Sequence, residues 1–323
     1  MKKILSGNLF FTLILIALLA LVPYIAPPFY VYLTLTSLAY IPVVIGFNIL
    51  FGYTGLLSFG HGLFLALGMY TTAFLMRNYT MENLEVLILA SALSAFIVGL
   101  GVGYICVKYT RIYFALLTLA FGMVFYTLLI KFTPITGGDE GLRITFKPLL
   151  LGLDFRYLPH LDFLFQPYYY YVLGIVIILT VLAYIIVSSH FGLSLKAIKE
   201  NSEKAEALGI NIKRFRLYSF VISAIYTSIG GALLAHITSH VTPIFSYWTT
   251  SGEIVFMTLL GGFTNFFGPI IGVFVYTLLR DFIMSTIIYW RILFGAALLL
   301  IIIFVPGGIS EGLIRIYKHF KGA

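Results

Sequence analysis

Apolar residues come in unbroken runs of about 20 along most of this chain, and neither strict alternation nor an amphipathic stripe organises them. Runs of that length match helices that cross a hydrocarbon core about 30 Å thick. The pattern predicts helices from Leu9 to Ala26, Val31 to Leu50, Leu56 to Met76, Leu84 to Val107, Ile112 to Ile130, Tyr168 to Val187, Leu217 to Ile237, Ser251 to Phe263, Phe266 to Leu279 and Trp290 to Val305. A transmembrane β-barrel would instead show two-residue alternation. The expected fold is therefore all-α: one polytopic transmembrane bundle of about ten helices over residues 1–323, some short or broken, with a possible internal two-fold repeat. At ~1.5 Å per residue the Ser251 to Phe263 segment is too short to span alone, so it reads as half of a broken or re-entrant helix.

Composition agrees with a bilayer as solvent. Of 323 residues 61% are hydrophobic and 10% charged, and the mean hydropathy is +1.04. The start, MKKILSGNLFFTLILIALLALVPYIAPP, has the basic and apolar parts of a signal peptide but no small-residue cleavage site, and reads as a retained first helix. The net charge of +8 is unevenly placed. Lys196, Lys199, Lys204, Lys213, Arg214 and Arg216 crowd one loop at about 188–216, and Arg315, Lys318 and Lys321 close the chain. These parts are expected to face the cytoplasm, with both termini, while Ile135 to Gln166 and Thr238 to Thr250 fit the outside of a cell (inner) membrane. Orientation in the lipid bilayer explains the basic balance, and nucleic-acid binding is not implied. The one cysteine, Cys106, excludes an internal disulfide.

The apolar runs are interrupted at two related places. LFGYTGLLSFG (Leu50 to Gly60) and LGGFTNFFGP (Leu260 to Pro269) each carry glycine, an aromatic and threonine followed by Phe-Gly. Matching interruptions in two halves point to a repeat lining a pathway, whereas glycine-mediated helix packing explains them without one. Gly52, Gly55, Gly60 and Gly62 would break the first helix, together with Tyr53 and Thr54, and Gly261 and Gly262 the second. A broken helix leaves backbone N–H and carbonyl groups free to meet polar groups along a pathway. Ser58 and His61 are polar groups that a lipid-facing helix avoids; His61 either bonds a neighbouring helix or touches cargo. Glu253 is expensive in a membrane segment and is a candidate for the same pathway unless it reaches water. His236 and His240 stand at metal-binding spacing but lack a third ligand, so neither a metal nor a cofactor is implied.

The basic loop carries a short helix signal. Asn201 or Ser202 can cap it, Glu203 and Glu206 suit its first turns, Ala205, Leu208 and Gly209 give a small apolar face, Gly209 can supply a left-handed stop, and Ala207 lies in the same stretch. Such a helix suits docking on a soluble partner; the alternative is a connector lying on anionic lipid. No HExxH, GxSxG or plausible cysteine site is present, so no catalytic residue is assigned and an intramembrane enzyme is disfavoured. A secondary transporter or channel for small zwitterions remains the nearer rival.

Five blocks in order carry a resemblance: YTGLLSFGHGLFLALGMYTTAFL, RIYFALLTLAFGMVF, TGGDEGL, LKAIKENSEKAEALGINIKRFRLYSFVISA and SGEIVFMTLLGGFTNFFGPIIG. They resemble the branched-chain amino-acid ABC transporter permeases, and the YTGxLSFGH form is similar to the LivM-type subunit. The chain departs from the family at Asp139 and Glu140 and in its PGGISEGL ending. The resemblance implies a permease subunit of an ATP-driven importer, working with a LivH-type second permease subunit, two ABC ATPase subunits and an extracytoplasmic substrate-binding protein. It also implies that Glu203 to Gly209 couple to the ATPase. The chain has no GxxxxGK[ST], so ATP hydrolysis is expected on separate subunits. Amides or urea are alternative cargoes within the wider group.

Overall fold

A computed structural model of the chain describes residues 17–286, 289–304 and 307–312. The elements in order are α1 (residues 17–25), α2 (Pro28–Thr54), α3 (His61–Tyr79), α4 (Leu84–Cys106), α5 (Arg111–Lys131), the turn α6 (Thr133–Thr136), β1 (Leu142–Arg143) and α7 (His160–Phe163). A π-helical turn (Leu164–Tyr168) joins α7 to α8 (Tyr169–Ser188). Then follow α9 (His190–Glu200), α10 (Ser202–Ala207), α11 (Ile212–Thr238), β2 (His240–Val241), a 3-10 turn (Pro243–Ser246), α12 (Trp248–Gly261), α13 (Gly268–Thr286) and α14 (Trp290–Phe304). The start of the expected first helix, Val305 and the basic residues Arg315, Lys318 and Lys321 lie outside the described residues.

The fold is the all-α polytopic bundle that the apolar runs require. Six helices among the described residues are long and apolar enough to cross a bilayer: Pro28–Thr54, Leu84–Cys106, Arg111–Lys131, His160–Ser188, Ile212–Thr238 and Gly268–Ser285. The count differs from ten because α1 is described only in part, α12 has 14 residues, α14 has 15, and α3 carries polar residues throughout.

Helix α11 is the hub, packed between α2, α3 and α4. Lipid supplies no hydrophobic drive between helices, so close backbone approach through small residues does the work. A Cβ at Gly231 would collide with the Leu65 carbonyl, one at Gly68 with the Ser228 carbonyl, and one at Gly230 with Val43. Small hydroxyls fill the seam: Ser228 donates to the Ser91 carbonyl at 2.8 Å, and Ser91 donates to the Gly68 carbonyl at 3.2 Å.

Two ends of the bundle are distinct. The α9–α10 hairpin, the start of α11 and the end of α2 form a basic end. At the opposite end β1 pairs antiparallel with β2, Leu142 against Val241, and Arg156 bridges Glu82 at 2.7 Å and Asp154 at 2.8 Å. Arg156 holds the exposed Asp154 carboxyl below its ordinary pKa. Exposed pairs of this kind contribute little stability, and they mark where the long 137–159 loop folds over the α3–α4 connection.

Candidate functional site

The first interruption is a true break. Helix α2 closes at Gly55, whose φ of +75° is the left-handed stop that glycine adopts without strain, and residues 55–60 run without helix before α3 starts at His61. Six extended residues reach up to about 20 Å. They carry the chain back into the bundle, for His61 is hydrogen-bonded to Ser223 at 2.6 Å, and Ser223 lies about 10 Å along α11 past Arg216, well inside a core about 30 Å thick. The helix expected from Leu56 therefore starts five residues later. Irregular backbone at this depth needs protein around it, and it has it. The Phe59 N–H donates to Thr118 Oγ1 at 3.2 Å, and a Cβ at Gly60 would strike the Thr118 carbonyl.

His61 is fully buried. Its Nδ1 is hydrogen-bonded to Ser58 Oγ at 2.9 Å and its Nε2 to Ser223 Oγ, inside a ring of Phe47, Phe64 and Phe220. Both ring nitrogens are thus taken up within the fold. The next residue, Gly62, donates its N–H to Ser251 Oγ of α12 at 2.8 Å, so the opening turn of α3 is capped from a helix 189 positions away.

A second interruption inside the bundle lies before α12, over residues expected in an outer loop. After β2 the chain turns down, and the Phe245 and Tyr247 carbonyls come to 3.1 and 3.2 Å of a Cβ position on Gly62. The 238–250 segment carries no lysine or arginine, and this fits a buried descent as well as an exposed loop. Helices α3 and α12 both begin inside the bundle and run to opposite ends.

The two glycine motifs meet at the basic end. The rings of Phe51 and Phe263 lie 4.9 Å apart, and a Cβ on Gly52 would sit 2.7 Å from the Phe263 carbonyl oxygen. The turn from α12 to α13 depends on backbone contact at Gly261 and Gly262, the latter at φ +102°. Thr54 returns its hydroxyl to the Leu50 carbonyl at 2.5 Å. Between the motifs stands Lys199 of α9. It donates to the Gly52 carbonyl at 2.7 Å and lies 5.1 Å from the Phe263 ring centre, while Lys196 lies 5.2 Å from that of Tyr53. Burial lowers the Lys199 pKa from the usual lysine value. Two cations at a helix C-terminus complement its orphan carbonyls and dipole.

Helix α9 was not expected; Ser189 caps it, accepting from the Phe191 N–H at 3.2 Å. Asn201 caps α10, accepting from the Lys204 N–H at 3.0 Å. Ala205 is buried on its inner side, whereas Glu203, Glu206, Ala207, Leu208 and Gly209 face outward, Leu208 with 80% of its surface exposed.

Glu253 is not part of the His61 cluster. It stands two positions after Ser251, about 200° around the helix, and therefore points away from α3. Its partner is Arg280 of α13 at 3.2 Å, a residue just past the end expected for that helix, so the pairing went unseen in sequence. An unpaired charge near the bilayer centre costs roughly 2.5–3.5 kcal/mol or more, and the pair removes much of that cost. His236 and His240 diverge. His236 is buried with Nδ1 3.2 Å from the Ala232 carbonyl, and His240 in β2 meets the Glu140 carbonyl at 2.7 Å.

Six helices long and apolar enough to cross a bilayer, two further helices that begin inside the bundle, and a basic hairpin bonded to the end of α2 fit a multi-pass membrane protein. Residues 29–303 match the family described as branched-chain amino acid transport system / permease component, and the chain belongs to it. It is similar to the high-affinity branched-chain amino acid transport system permease protein LivM of Escherichia coli K12, with 27% identity over 92% of this chain and 74% of that protein. LivM of Salmonella typhimurium is 27% identical over 84% of this chain and 68% of its own length. A nucleoside ABC transporter permease protein, NupC of Lactococcus lactis, is 29% identical over 28% of this chain and 33% of its length. No solved structure matches.

Proposed function

We propose that this chain is the permease subunit of an ATP-driven importer of branched-chain amino acids. It forms half of a translocation pathway completed by a LivH-type subunit, powered by two ABC ATPase subunits and fed by an extracytoplasmic binding protein. The observation that carries this reading is the link from the exposed tip of α10, through α9 and Lys199, to the Gly52–His61 break. A hairpin that reaches out to a soluble partner and inward to an irregular backbone at depth is built to pass on movement. The stretch from Gly52 through Tyr53, Thr54, Gly55, Ser58 and Gly60 to His61, with Gly261 and Gly262, forms the wall that shifts. Glu203 to Gly209 make the ATPase contact.

The test is co-expression with a second permease and two ATPase chains, followed by uptake of L-leucine into proteoliposomes with a binding protein. The four chains are expected to purify together and to accumulate leucine only with ATP. Uptake driven by a proton gradient without the ATPases would make the chain a secondary transporter instead.

The lysines and arginines of α9 to α11 support an orientation with the basic end on the cytoplasmic side of a cell membrane. Cysteines at Ser202 and Asp154 in a Cys106→Ala background are expected to differ in intact cells, with Asp154→Cys labelled by an impermeant thiol reagent and Ser202→Cys protected. The reverse pattern inverts the topology.

A further inference from the structure

The outward face of α12 carries features that the break does not use. Trp248, Gly252 and Phe256 recur every four residues and so line one side of the helix. Trp248 and Phe256 are 47% and 38% exposed, and a Cβ on Gly252 would meet nothing within 4 Å. Glu253, about 100° around the helix from Gly252, borders this stripe on the Phe256 side; it meets Arg280, and their side chains keep 29% and 38% of their surface open. Hydrocarbon does not solvate an open ion pair near mid-depth, so this face looks onto water or onto polar groups.

We propose that this face is a subsite for a zwitterionic α-amino acid with an apolar side chain. The cargo carboxylate goes to Arg280, its ammonium to Glu253, and its side chain over bare Gly252 between the two rings. This inference rests on the reading of the chain as an amino-acid permease. The electrostatics favour that class of cargo, because a zwitterion exchanges one neutral pairing for another. A monoanion or monocation leaves an unbalanced charge in a low dielectric, and a neutral amide cannot replace either partner of the pair. The competing occupant of the face is the second permease subunit.

The test uses the whole reconstituted complex with saturating binding protein, reading the maximal rate of L-leucine uptake, binding-protein-stimulated ATP hydrolysis and subunit co-purification. Glu253→Gln is expected to lower uptake at least tenfold while the complex stays assembled and hydrolyses ATP. Gly252→Leu changes no charge and is expected to lower uptake to a similar extent. The double exchange Glu253→Arg with Arg280→Glu rebuilds an ion pair but reverses it relative to Gly252, and is expected to stay inactive. Recovery of uptake in the exchanged protein to half or more of the unmodified rate, or normal uptake by Gly252→Leu, overturns the subsite. So does loss of the second permease from both Glu253→Gln and Gly252→Leu complexes, which assigns the face to subunit contact. If the unmodified complex imports no leucine, the permease reading itself falls.

Discussion

Lys199→Met is expected to leave a complex that assembles, docks its binding protein and hydrolyses ATP, yet imports leucine at a tenth of the normal rate or less. Methionine keeps most of the length and apolar bulk of the lysine stem, so the α9 packing survives. The ammonium is lost, and with it the donor to the Gly52 carbonyl at 2.7 Å. That carbonyl is among the last of α2 and has no partner further along its own helix. Leaving a part-buried acceptor unmade costs about 1–3 kcal/mol, and 1.4 kcal/mol is already tenfold in an equilibrium between two arrangements of the break. The contact with the Phe263 ring weakens as well, so both glycine motifs lose their tie to the hairpin. Lys199→Arg keeps a cation and a donor and is expected to recover part of the uptake. The measurement is leucine imported per ATP hydrolysed. A ratio unchanged in Lys199→Met would show that the hairpin moves the break by some other route.

What the sequence disclosed and what it hid divide along a physical line. Long apolar runs announce spans because the bilayer leaves the backbone few options, and α2, α4, α5, α8 and α11 fall where the runs lie. Glycine also marked the place where α2 ends, since a left-handed stop at Gly55 suits few other residues. The start of α3 was misplaced by five residues because Leu56 and Leu57 are as apolar as any helix interior. The descent before α12 was hidden for a related reason: uncharged residues 242–247 fit a buried turn or an outer loop equally well. Partners distant in sequence left no local trace. His61 finds Ser223 across 162 positions and Gly62 finds Ser251 across 189, and an unremarkable serine gives no sign that it caps another helix. Lys199 looked like one charge among many in a basic loop until α9 set it against the end of α2.

Gly209→Val is expected to reduce binding-protein-stimulated ATP hydrolysis at least tenfold, and leucine uptake with it. Gly209 holds φ at +85°, where a side chain costs roughly 1–2 kcal/mol and a β-branched one is the hardest to place. Its N–H donates to the Glu206 carbonyl at 2.9 Å, and the Ile210 N–H donates to the Ala205 carbonyl at 3.1 Å. These two bonds close the end of α10 and hold Leu208 outward. Valine relaxes φ toward negative values, opens both bonds and turns the tip away from its partner. Nothing in the chain lies within 4 Å of a Cβ at this position, so membrane insertion and pairing with the second permease are expected to be normal. An account in which the loop rests on anionic lipid ranks the variants differently. There, reversing the exposed Lys213 and Arg214 does the greater harm, at about 1 kcal/mol for each cation near the surface, and Gly209→Val is mild. Measuring ATP hydrolysis for Gly209→Val and for Lys213→Glu with Arg214→Glu in the same vesicles separates the two. Full stimulation in Gly209→Val would remove α10 from the path between ATPase and permease.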